Sequence, residues 1–112
     1  MNVDHELEFL ISLDGSEFRL AAGYKVKIEV RVVEATRHRP HGVKYGLTLH
    51  DPVGRRIYGM DNAHSVGRRT EFDHRHVYGR RQMVGYAYGG AAGLLADFYR
   101  EVERILAERG AL

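Results

Sequence analysis

The clearest signal along this chain is a period of two. From Tyr24 to Val33, apolar Tyr24, Val26, Ile28, Val30 and Val32 alternate with Lys25, Lys27, Glu29 and Arg31, so a strand here carries all its charge on one face. That strand faces a core on one side and water on the other. Val43 to Leu49 repeats the pattern, with Val43, Tyr45, Leu47 and Leu49 inward and Lys44, Thr48 and His50 outward. Asp51-Pro52-Val53-Gly54 supplies turn chemistry, which predicts that the following run to Met60 pairs back as a hairpin. Asp14-Gly15 lies between two apolar runs and predicts an earlier hairpin, joining Glu6 to Leu13 with Glu17 to Leu20. Glu71 to Tyr78 and Gln82 to Tyr88 read as the last two strands.

The end of the chain changes period. Leu94, Leu95, Phe98, Val102, Ile105 and Leu106 fall at spacings of three and four among charged residues, which predicts an amphipathic helix opened by Gly89 and Gly90 and ended by Gly110. The expected fold is α+β: an antiparallel sheet of about six or seven strands with one C-terminal amphipathic helix packed across a face. A helix of about five turns cannot cover so wide a sheet. The other face is then curled, solvated or buried against a partner, and seven tyrosines favour a partner, a homodimer among them.

At 112 residues the chain is expected to form a single domain, 1–112. No apolar run approaches the roughly 20 residues that cross a bilayer, and the start, MNVDHELEF, is acidic where a signal peptide would be basic. A soluble cytoplasmic protein is the expectation. Without cysteine there is no disulfide framework and no thiolate metal site, so a metal would depend on His and carboxylates. The net charge of +2 hides a polar distribution. Arg37 to Arg81 holds ten Lys or Arg against four Asp or Glu, a local +6, and the remainder holds seven against eleven, or −4. Six of the seven histidines lie in that basic stretch.

Three short runs there concentrate groups able to do chemistry: PHGVKY, MDNAH and FDHRH. On a strand, His74 and His76 share one face while Asp73 and Arg75 take the other. Such a pair suits anion binding, general acid/base work near neutral pH, or ligation of a metal with Asp61. Partly exposed histidines on a polar face can equally be functionless. Asp61-Asn62 is also a plain turn signal, which leaves His64 unexplained. In a chemical reading, Asp61 orients an imidazole, Asn62 donates to a developing oxyanion, and His64 joins His74 and His76 as acid and base. Lys44 lies two residues from Gly46, which would leave backbone open to an approaching ligand. With Arg75 it would steady phosphate, and His41 would contribute to substrate binding. There is no phosphate loop of the Gly-rich, Lys-Ser/Thr type and no nucleophile elbow.

Taken in order, PHGVKYGLTLHD, GMDNAHSVG, DHRHVYG and LLADFYREVERIL resemble the TumE-type toxin family over about residues 24 to 109. The resemblance implies the toxin half of a type II toxin-antitoxin pair, neutralised by a helix-turn-helix antitoxin. His41, Gly42, Lys44, Tyr45, Asp61, Asn62, His64, Asp73, His74 and His76 fit the family pattern. The SVGRRTEF segment is longer than the Gly/Lys link the family commonly has there. In size and basicity the chain resembles more loosely the RelE-like ribonucleases, which begin with helices where strands are expected here. The leading expectation is an RNA-cleaving toxin using histidine acid/base chemistry, an endoribonuclease that needs no cofactor. The alternatives are a non-enzymatic module that binds nucleic acid or an antitoxin, and a metal-dependent nuclease built on His74, His76 and Asp61.

Overall fold

The structure is a computed structural model and describes residues 4–35, 42–62, 74–77, 82–85 and 89–112. An eight-residue helix α1, His5–Ser12, leads into β1, Ser16–Arg19. There follow β2, Lys25–Val32; β3, Val43–His50; β4, Arg56–Asp61; β5, His74–Val77; and β6, Gln82–Gly85. The chain closes with α2, Ala91–Glu108. The strands lie in one sheet in chain order, every neighbouring pair antiparallel. The α+β class, the antiparallel sheet and the C-terminal helix are as expected.

The start of the chain is not. Glu6 to Leu13, expected as a strand, belongs mostly to α1. HELEFLIS satisfies both periods, since Leu7, Phe9 and Ile11 alternate while Leu7, Leu10 and Ile11 mark a helical stripe. Two local features favour the helix: the Asp4 carboxylate accepts a hydrogen bond from Leu7 N at 2.9 Å, and Glu6 and Glu8 sit in the first turn, where the helix dipole favours negative charge. Tertiary packing adds to them by burying Leu10 completely. Asp14 and Gly15 therefore join a helix to a strand. The Asp14 carboxylate accepts from Val30 N at 2.9 Å and Gly15 N donates to Ile28 O at 2.9 Å, so this turn is tied to the middle of β2.

Both helices serve one core. Val26, Ile28 and Val30 of β2, Val43, Tyr45, Leu47 and Leu49 of β3, and Tyr58 and Met60 of β4 are buried with Leu94, Phe98, Val102, Ile105 and Leu106 of α2. The Tyr58 and Phe98 rings stack with centroids 5.8 Å apart. α2 begins at Gly90 without a side-chain cap of its own, and α1 supplies one: Glu6 Oε1 accepts from Ala92 N at 3.0 Å. That carboxylate satisfies an otherwise orphaned donor and sits at the positive end of the α2 dipole.

Candidate functional site

Among the described residues the helices α1 and α2 cover one face, and the ladder registers arrange the residues of the other in rows across the strands. One row runs Glu29, Gly46, Asp61, His74, Gly85. The next runs Lys27, Thr48, Gly59, His76, Met83. Arg31 pairs with Lys44 at one end, and Lys25 pairs with His50 at the other. Among the described residues, Lys27, Glu29, Arg31 and Lys44 of this face are exposed and Asp61 is half-buried, so this part of the face is polar.

Asp61 and His74 are direct cross-strand partners, positions whose Cβ atoms stand about 4.5–5.5 Å apart. His76 holds the register position opposite Gly59, one row along, and Lys44 lies two residues from Gly46 on β3. Four of the expected site residues, Lys44, Asp61, His74 and His76, are therefore brought to one face. Gly46 sits between them in the middle of a long strand. A Cβ at this position would meet nothing within 4 Å, so neither packing nor backbone strain requires a glycine.

Two expected contributors are placed elsewhere. Arg75 occupies the register position between Met60 and Val84, on the helix-covered side of the sheet. Its charge acts on Tyr58 and on Glu101 of α2. The Tyr58 hydroxyl is pushed up to about 12, first by burial, with Arg75 opposing that rise. Neither the Tyr58 hydroxyl nor Arg75 Nε has a hydrogen-bond partner, although both atoms are buried. Arg75 and the histidines on either side of it thus lie on opposite faces, as strand alternation demands. The phosphate-steadying role expected for Arg75 does not fit that position.

Asn62 is 1 % exposed and its amide is committed to the fold. Its Oδ1 accepts from Tyr45 N at 2.9 Å and its Nδ2 donates to Val43 O at 2.7 Å. These bonds continue the β3 to β4 ladder past the last paired residue, and they make Asn62 a clamp rather than an oxyanion donor. His41 and His64 lie outside the described residues.

His50 was read only as an outward strand residue, yet it belongs to a second polar cluster at the β3–β4 turn. Thr48 Oγ1 lies 2.9 Å from its Nε2. Its pKa is lowered, first by burial and then by Lys27 and Arg56, while a hydrogen bond with the Gly54 backbone and the charge of Glu17 oppose that fall. Proximity to Pro52-Val53-Gly54 and the strand position of Lys27 were both legible in the sequence. Their convergence was not. Among the described residues no group of three or more His, Cys, Asp or Glu could hold a metal ion. No helix among them is long and apolar enough to cross a membrane.

An antiparallel sheet covered on one side by helices, with Lys44 and Asp61 on its other side and His74 and His76 at the matching register positions of β5, defines a small α+β protein with a candidate reactive surface. The family model described as Toxin TumE matches residues 3–106, and the chain belongs to the TumE toxin family. Membership implies an antitoxin as partner. No curated protein matches the chain, and no solved structure does.

Proposed function

We propose that this toxin-family protein acts on RNA by histidine acid/base cleavage on the open face of its sheet. The carrying observation is the register: Asp61 directly opposite His74, with His76 next along and Lys44 two strands from His74. In this reading one imidazole takes the proton from a ribose 2′-hydroxyl, whose oxygen then attacks the adjacent phosphorus. The other imidazole gives a proton to the departing 5′-oxygen, leaving a 2′,3′-cyclic phosphate. Asp61 orients the His74 ring, and the Lys44 ammonium stabilises charge on the phosphorane. His64, two residues beyond the Asn62 clamp, completes the set of candidate acids and bases. Substrate approaches over Gly46, where no side chain stands between the lysine and the carboxylate. A helix-turn-helix antitoxin is the proposed partner that silences the surface.

The test is expression of wild type and the His74→Ala/His76→Ala variant in a bacterial host, following growth, RNA integrity and the chemistry of new RNA ends. Arrest accompanied by cyclic-phosphate ends, both lost in a variant that melts like wild type, is the expected result. Arrest that persists in the folded double variant would overturn the assignment and leave a binding module. Arrest and cleavage that disappear on chelation would move the chemistry to a metal.

A further inference from the structure

A small cleft among the described residues lies away from the histidine pair, at the opposite end of β3. It measures about 190 Å³ and is lined by Lys25, Lys27, His50, Asp51 and the turn Pro52-Val53-Gly54. That volume falls below the ~300–1,000 Å³ of ordinary ligand sites, so it suits one small group rather than a whole cofactor. Its shape is held in place from below. Gly23, at φ +86°, lets the chain pass so close that a Cβ there would stand 3.3 Å from the Pro52 Cβ, and Asp51 braces the turn from within. Asp51 Oδ1 accepts from Val53 N at 3.0 Å and Arg55 N at 2.8 Å, while Oδ2 accepts from Arg55 Nε at 2.7 Å. The only carboxylate in the lining is thereby turned into the loop and neutralised.

The remaining lining charge is cationic. Lys25 shares its charge with Glu17 at 3.4 Å, whereas Lys27 is exposed on the same face. His50 stands between them and the turn. We propose that this cleft binds a phosphate group of an RNA strand, as an anchoring subsite apart from Lys44, Asp61, His74 and His76. The assignment rests on the reading that RNA is the substrate. From His50 back to Gly46 is four strand residues, about 13 Å at the usual rise, on the same open face. A strand held in the cleft and extended along β3 would pass Lys27 and Thr48 before it reaches Gly46 and Asp61, with Glu29 beside that path.

Phosphate in the cleft also couples to the His50 ring. Without an anion, burial first and then Lys27 and Arg56 disfavour the imidazolium. An anion opposes both cations, and by reciprocity phosphate and a proton on His50 bind better together. Lys25 with Glu17, and Asp51 with Arg55, are already paired, and Arg19 stands opposite Lys25 in the β1–β2 register.

The experiment follows the His50 ring resonances through pH, with and without inorganic phosphate, in wild type, Lys27→Gln and Lys25→Gln. In parallel it measures binding of a labelled single-stranded RNA to the same proteins over a range of salt. Expected are a rise of the His50 pKa with phosphate, lost in Lys27→Gln and reduced in Lys25→Gln. RNA affinity of Lys27→Gln should fall several-fold, with a salt slope shallower by about 0.7, the value of one single-strand phosphate contact. RNA that binds folded Lys27→Gln with unchanged slope, or a His50 pKa indifferent to phosphate, would overturn the subsite. A phosphate-sensitive His50 in a protein that binds no RNA would keep the phosphate site and overturn RNA as its source, together with the reading above.

Discussion

Under the helices, β2 and β3 present Val26, Ile28, Val30, Tyr45, Leu47 and Leu49, all buried. From their reverse side the same strands present Lys27, Glu29, Arg31, Lys44, Gly46 and Thr48 to solvent. The covered face is chosen for volume and fit, and the Tyr58 hydroxyl and Arg75 Nε, buried there without hydrogen-bond partners, are a cost that packing such as the Tyr58–Phe98 stack must outweigh. The open face is chosen against such fit. It keeps a glycine in the middle of β3 where packing needs none, and it sets unlike and like charges side by side. That mid-strand glycine is where the proposed ligand path crosses the open face.

Substitutions on the two faces should therefore separate activity from stability. The largest effect belongs to the open face: replacing both His74 and His76 with alanine should lower RNA cleavage by at least about 100-fold, the usual weight of general acid/base groups, while the melting temperature stays put. A comparable loss from a core substitution that remains folded would erase the distinction. On the covered face, Phe98→Ala should cost about 3–5 kcal/mol in denaturant unfolding, because the stacked ring leaves a cavity under Tyr58.

Asn62→Ala probes the boundary between the faces. Loss of the two backbone bonds should cost about 2–3 kcal/mol, and any fall in cleavage should follow the unfolded fraction. Were Asn62 an oxyanion donor, cleavage would drop by orders of magnitude in a protein of near-normal stability. The smallest effect has the opposite sign. Gly46→Ala should raise stability by about 0.5–1 kcal/mol, since the added methyl enters open space and the unfolded chain loses freedom, yet it should weaken RNA-dependent toxicity. Stabilisation with undiminished toxicity would remove Gly46 from the ligand path.

The strands that the sequence announced most strongly are those with a single period. Lys25–Val32 and Val43–His50 alternate without exception, and burial follows the alternation through Val30 and Leu49. α2 is equally unambiguous, its apolar stripe becoming the buried one. HELEFLIS fits two periods at once, so propensity alone left it open. The same alternation places Arg75 opposite His74 and His76 in the strand, which counts against the joint role that the motif reading gave it. It could not tell which face the helices would cover.

By itself, then, the order of residues determined the α+β class, the faces of β2 and β3, the C-terminal helix and the family, because each is carried by local periodicity or by motifs in a fixed order. Only tertiary structure decided the rest. Glu6 reaches Ala92 across 86 positions to cap a helix that begins on bare glycine. Asn62 is clamped to β3 instead of offered to a ligand, and register sets Asp61 beside His74. Lys27 meets His50 at a turn braced by Asp51. Each is a juxtaposition between distant segments, fixed by which strand pairs with which and at what offset, and no local pattern of residues encodes that offset.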